Sequence, residues 1–99
     1  MKVTKQQNGS DFLFEIEGSI DSITAPELND ILNEVSKGAK VFVLDFKKVD
    51  YVSSAGLRVL LAARKTLGKE GNLIVRHPNK NVLDIFTMTG FDNILTIEE

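Results

Sequence analysis

Apolar and polar positions change period several times along this chain, and the changes mark out its elements. Val3 and Thr4 open a strand-like stretch ending at Asn8-Gly9, a pair that favours a hairpin turn because both residues tolerate positive φ. From Phe12 to Glu17 the alternation is strict. Phe12, Phe14 and Ile16 fall on one face, as in a half-buried strand, and Gly18 closes the run. Thr24-Ala25-Pro26-Glu27 has the form of a helix start, with Thr24 as cap, Pro26 tolerated in the first turn and Glu27 completing a capping box. Leu28, Ile31, Leu32 and Val35 then recur at the spacing of one helical face. Lys37-Gly38 supplies a cation and a flexible stop at the end of that helix.

Val41-Phe42-Val43-Leu44 is a continuous apolar run and predicts a strand covered on both faces. It leads through Asp45 into a loop that ends at Ser53-Ser54. The spacing predicts a second helix over about residues 55–68, burying Leu57, Leu60, Leu61 and Leu67. Gly71-Asn72 turns the chain into a short buried strand at Leu73-Ile74-Val75. A third helix fits Asn79 to Thr89, with Val82, Ile85 and Phe86 inward, and Gly90 stops it before a last strand at Ile94-Leu95-Thr96-Ile97. Hairpin, helix, strand, helix, strand, helix, strand is the order of an α/β fold. We expect a single small domain over residues 1–99: a mixed, mostly parallel sheet with an N-terminal hairpin and crossover helices. Sites in such folds lie off the carboxyl ends of strands, where Ser53 and Ser54 fall.

Composition narrows the function. A chain of 99 residues has room for one core and none for a cleft between lobes. Net charge is −2 with acids and bases interspersed, and the basic residues form only short pairs such as Lys47-Lys48, which argues against nucleic-acid binding. There is no cysteine, so thiol chemistry, disulfides and Cys-ligated metals are excluded. No apolar run approaches the roughly 18 residues of a membrane span, and Met1 to Gln6 lacks the apolar stretch of a signal peptide. A cytoplasmic protein without direct membrane insertion is the expectation.

Candidate chemistry centres on the two serines. A serine before a helix caps orphan N–H groups, and one of the pair takes this role. The other is then free beside a positive helix terminus, which favours an attached phosphate. A nucleophilic serine would need a base. The one histidine, His77, sits in a turn before the third helix, and no G-x-S-x-G elbow is present. We therefore expect no enzyme. Asp45 and Asp50 are read as turn or cap residues, and Asp21 ends a strand in a loop able to neighbour the serines. Scattered carboxylates without His or Cys predict no metal, and no phosphate-loop or dinucleotide fingerprint predicts a cofactor.

The stretch from Val43 through Asp45, Tyr51, Ser53 and Ser54 to Gly56-Leu57 resembles the signature of STAS domains of the anti-sigma factor antagonist family. Gly18-Ser19-Ile20-Asp21 before a Pro-containing helix start resembles the family's second motif. The likeness spans nearly the whole chain. It implies an anti-sigma factor antagonist working as a partner switch. The unphosphorylated form binds an anti-sigma factor that is also a serine kinase, and so releases the sigma factor. Phosphorylation abolishes binding, and a serine phosphatase resets the switch. Carried over, the phosphorylated residue is Ser54, with Ser53 the runner-up, since Ser53 stands where such proteins usually have Asp. The resemblance further implies partner contact through Asp21, Ser53, Ser54, Ala55, Gly56, Leu57 and Arg58. The competing expectation is a constitutive adaptor subunit of a transporter or signalling assembly, with no phosphate cycle.

Overall fold

The hairpin turn falls one residue later than the Asn8-Gly9 pair suggests: Gly9 (φ 66°) and Ser10 make the turn, and Asn8 ends the first strand. In the computed structural model, which describes residues 1–36 and 38–99, strand β1 (Lys2–Asn8) runs antiparallel to β2 (Asp11–Ile20), with Asn8 opposite Asp11. Helix α1 (Ala25–Ser36), strand β3 (Val41–Val52), helix α2 (Ser54–Leu67), strand β4 (Asn72–Arg76), helix α3 (Lys80–Thr89), a 3₁₀ turn at Phe91–Asn93 and strand β5 (Thr96–Glu98) follow. Lys37, expected to help end α1, lies outside the described residues. The sheet order is β1-β2-β3-β4-β5, antiparallel at the hairpin and parallel elsewhere. The expected mixed α/β architecture is therefore the one observed.

Each parallel connection steps one strand in the same direction through a helix. With the right-handed crossovers such units adopt, all three helices fall on one face. The buried side chains agree. Phe12, Phe14, Ile16, Phe42, Leu44, Phe46, Leu73 and Val75 share that face and are buried with Leu28 and Leu32 of α1, Leu57 and Leu60 of α2, and Val82 and Phe86 of α3. Among the described residues the buried set is wholly apolar. Phe42 stands edge-on to Phe14 at 5.4 Å and to Phe12 at 5.9 Å, while Phe46 meets Phe86 at 6.2 Å. Such ring pairs contribute about 0.5–1.5 kcal/mol beyond their burial.

The other face of the sheet has no helix, which corrects the reading of β3 as covered on both sides. Leu13, Val43 and Ile74 form one row there, half-buried by their neighbours in the sheet. Glu15, Asp45 and Arg76 form the next row, and Arg76 pairs with Glu98 at 3.2 Å. A continuous apolar run thus served a sheet with one solvated face, because the branched residues at Val41 and Val43 suit a pleated surface whether or not a layer covers it.

Two further expectations change. Gly18 does not close β2, which continues to Ile20. Its φ of 98° instead lets the strand pass an irregularity in the pairing with β3. The stretch after Asp45 is not a loop but the second half of β3. Between Glu15↔Asp45 and Glu17↔Lys48, β3 advances one residue more than β2, and it does so again between Gly18↔Val49 and Ser19↔Tyr51. Bulges of this kind carry an unpaired residue each, twist the strand and break its alternation. Leu61 and Ile85 are half-buried, Leu61 at the margin of the α2 face and Ile85 packed against the core from outside. The last strand is shorter than expected, because Phe91–Asn93 forms a 3₁₀ turn and only Leu95 of the preceding residues is buried.

Candidate functional site

β3 runs past the end of its pairing with β4, whose last partners are Asp45 and Arg76, and continues beside β2 alone up to Ile20↔Val52. The candidate site sits at the tip of that two-stranded ribbon. Ser53 N–H donates to Ile20 O at 2.8 Å, which ties the start of the serine loop to the end of β2. The backbone of Ser53 is extended (φ −85°, ψ 175°), as an N-cap residue requires, and its Oγ accepts from Gly56 N at 3.3 Å. Ser53 is thus the capping serine. Ser54 is the first helical residue, exposed, and its hydroxyl has no hydrogen-bond partner among the described residues.

The helix start is pressed close to β2. A Cβ on Gly56 would lie 2.8 Å from Ile20 Cγ2, 2.9 Å from Val52 Cγ1 and 3.0 Å from Ile20 O, all inside van der Waals contact. Glycine at this position therefore sets how near α2 lies to the strand ends. Leu57 is buried and Ala55 half-buried, so both hold the helix down, whereas Arg58 is exposed one turn beyond Ser54. The first turn of α2 carries no acidic residue to compete with an anion at its positive end.

Asp21 lies on the same tip, one residue beyond Ile20, and its carboxylate is occupied within its own turn. Oδ1 accepts from Ile23 N at 2.9 Å, Thr24 N at 3.0 Å and the Thr24 hydroxyl at 3.2 Å. The Thr24 and Ile23 N–H groups, in that order, hold the Asp21 carboxyl below the usual carboxylate range by stabilising its charged form. Thr24 does not serve the expected capping box. Its Oγ1 accepts from Asp21 N at 2.9 Å and donates to Ser19 O at 2.8 Å, so the hydroxyl faces back into the turn. The turn presents Ile23, with 86% of its surface exposed. Sequence reasoning missed Ile23, whose only signal is one apolar residue between Ser22 and Thr24, in phase with neither β2 nor α1.

The third loop braces the ribbon from the side. Asn79 caps α3 by accepting from Val82 N at 2.8 Å, and its Nδ2 donates to Val49 O at 3.0 Å and Asp50 O at 3.3 Å. His77, in the left-handed region at φ 57°, has its N–H on Glu98 O. It follows Arg76, the partner of Asp45, so the length of β3 from Phe46 to Val52 separates it from the serines, roughly 20 Å at about 3.3 Å per residue. No serine–histidine pair is formed. Asp45 Oδ1 accepts from Lys47 N at 2.9 Å, but Asp45 and Asp50 both lie within β3 and not in the turn or cap positions expected of them. Among the described residues no group of His, Cys, Asp and Glu has the arrangement of a metal site, and no helix is long and apolar enough to cross a membrane.

Comparison with known proteins bears on the whole chain. It is 32% identical over 99 residues to the proposed anti-sigma factor antagonist BtrV of Bordetella bronchiseptica, covering 98% of this chain and 85% of that protein. Its fold is similar to that of an anti-sigma factor antagonist from Mycobacterium paratuberculosis, with TM-score 0.88 at 24% identity over 98% of this chain and 84% of the other. It is also similar to the phosphorylated form of the Bacillus cell-fate determinant SpoIIAA, with TM-score 0.77 at 12% identity over 99% and 92% of the two chains. The family model described as the STAS domain matches residues 2–99, and the chain belongs to that family.

Proposed function

We propose that this chain is an anti-sigma factor antagonist and a partner switch controlled by phosphorylation of Ser54. The observation that carries the reading is the division between the two serines: Ser53 is spent on capping, while Ser54 offers a free, exposed hydroxyl at the first position of α2. On this reading the chain is a substrate and ligand of its partners, not a catalyst. In the modification step, Ser54 Oγ attacks the γ-phosphorus of ATP held by an anti-sigma factor with serine kinase activity. The bond to the β–γ bridging oxygen breaks, ADP leaves, and the hydroxyl proton passes to a base on the kinase. A serine phosphatase restores the hydroxyl by hydrolysis.

The switch follows from electrostatics at one spot. A phosphate adds about −1.5 to −2 charges. Its own fold tolerates it, because the helix terminus favours an anion by about 0.3–1 kcal/mol and Ser54 has no internal bond to lose. A partner surface that buries the unmodified serine meets an incompletely paired dianion, at a cost of several kcal/mol. About 4 kcal/mol already weakens binding a thousandfold.

The test uses the full chain, ATP and a panel of purified anti-sigma factor kinases from the source organism. Mass spectrometry is expected to find one phosphoryl group on Ser54, retained in Ser53→Ala and absent from Ser54→Ala. Ser54→Asp is expected to fold normally and bind the kinase at least about tenfold more weakly. A phosphate on Ser53, or full affinity in Ser54→Asp, would refute the switch. A stable complex of never-modified chain with a transporter would support the adaptor function instead.

A further inference from the structure

Single exposed aliphatic residues are ordinary on protein surfaces, but Ile23 is held in a way that chain slack does not explain. The N–H groups of Ile23 and Thr24 both donate to Asp21 Oδ1. The Thr24 hydroxyl accepts from Asp21 N and donates to Ser19 O, and Ala25 N donates to Asp21 O at 2.8 Å. The backbone is therefore fixed on both sides of a side chain that is 86% exposed. Isoleucine is stiff at χ1, so little conformational freedom remains for docking to remove. The same turn is bonded to the serine loop through Ser53 N and Ile20 O, with Gly56 pressed on Ile20. A rigid apolar projection and a free serine hydroxyl thus share one tip of the molecule.

We infer that Ile23 is the apolar anchor by which this chain docks on the kinase that modifies Ser54, filling an apolar pocket beside that partner's phosphoryl-transfer site. The inference rests on the reading of Ser54 given above and names a contact which that reading lacks. Asp21 then acts as a positioning residue: its carboxylate is consumed in building the turn, and Ile23 is what the turn presents. A buried anchor at the centre of a contact also excludes water from its surroundings. This makes the neighbouring serine the place where an added charge is least tolerated. The size and shape of the side chain at position 23 select among kinases whose pockets differ.

Ile23→Ser and Ile23→Val in the full chain test this against the kinase identified with the panel. Ile23→Ser is expected to weaken binding and raise KM for phosphorylation by about 10- to 30-fold, with kcat within about twofold, as for loss of a single anchor that does not touch the reacting oxygen. Ile23→Val, which keeps the branched shape, is expected to stay within about threefold of wild type. Both should melt with the wild-type protein, because the side chain touches solvent. Wild-type affinity and KM in Ile23→Ser, a fall in kcat alone, or a lowered melting temperature would each overturn the assignment. If wild-type protein is neither bound nor phosphorylated by any kinase of the panel, the Ser54 reading has failed and the anchor falls with it. If wild type switches normally and Ile23→Ser does too, only the anchor is lost.

Discussion

Replacing Gly56 by alanine tests whether the close approach of α2 to the strand tip is a requirement of the fold or slack. Gly56 lies in the first turn of the helix and its φ is not positive, so alanine is free of backbone strain there. Helix propensity alone would make Gly56→Ala stabilising by up to about 1 kcal/mol. Against this stands the added Cβ, 2.8 Å from Ile20 Cγ2, 2.9 Å from Val52 Cγ1 and 3.0 Å from Ile20 O. Ile20 and Val52 are almost wholly buried, so neither methyl has open space to move into, and the backbone oxygen is fixed by its bond from Ser53 N. Overpacking of a filled core costs about 1–3 kcal/mol. Even against the full propensity gain, the clash leaves a net loss of up to about 2 kcal/mol, and the helix start must lift away from β2. Thermal melting is expected to show a fall of about 4–8 °C per kcal/mol for a domain of this size. Hydrogen exchange at the Ser53 amide should accelerate more than at amides in the middle of β3. An alanine variant as stable as wild type, with an equally protected Ser53 amide, would refute the argument that glycine sets this distance.

Two other changes probe the neighbouring loops. Asp21 has a depressed carboxyl pKa, so its charge contributes stability above its unfolded value of about 3.9 and loses it as pH falls through the folded value. Asp21→Asn should accordingly be less stable than wild type at pH 7 in urea unfolding, and the gap should close below about pH 4; a gap independent of pH would show that charge is not what holds the turn. Asn79→Asp keeps an oxygen for Val82 N but replaces two donated bonds to Val49 O and Asp50 O with a carboxylate facing carbonyls. It should destabilise by about 1–3 kcal/mol despite being an equally good cap by type, and an unchanged denaturant midpoint would mean that the loop does not brace the ribbon.

Much of this architecture was legible because period and packing agree. Phe12, Phe14 and Ile16 alternate, and all three are buried on the helix face; Leu28 and Leu32 lie on the predicted stripe of α1. The second half of β3 was not legible, for a physical reason. Two extra residues in its pairing with β2 change the spacing of buried positions from two to three, at Phe46, Val49 and Val52. A pattern that is neither strand-like nor helical, interrupted by Lys47, Lys48 and Asp50, has the appearance of a loop. Likewise, the sequence identifies two serines at a helix start but contains nothing to say which of them turns inward. That depends on an extended backbone at Ser53 set by its bond to Ile20, a residue more than thirty positions earlier. Thr24 obeys the composition of a capping box while its hydroxyl serves a different turn, where it is engaged by Asp21 N and Ser19 O.

The inward and outward groups at the tip have separate duties, and this determines what kind of switch the site can be. Ser53, Asp21, Thr24 and Gly56 hold the geometry: each is bound or packed within the fold. Ser54, Ile23 and Arg58 are exposed and hold none of it. A phosphate on Ser54 therefore breaks no internal hydrogen bond and enters no packed space, so nothing drives the domain into a second conformation. Its effect has to be exerted on whatever covers the tip, through charge and desolvation at the contact. Modification of the capping serine would instead displace the bond to Gly56 N and loosen the helix start, coupling modification to stability. Under the proposed modification of the exposed Ser54, melting temperature and partner affinity would be independent quantities, and a phosphorylated chain that melts with the unmodified one while losing its partner is the result this proposal predicts.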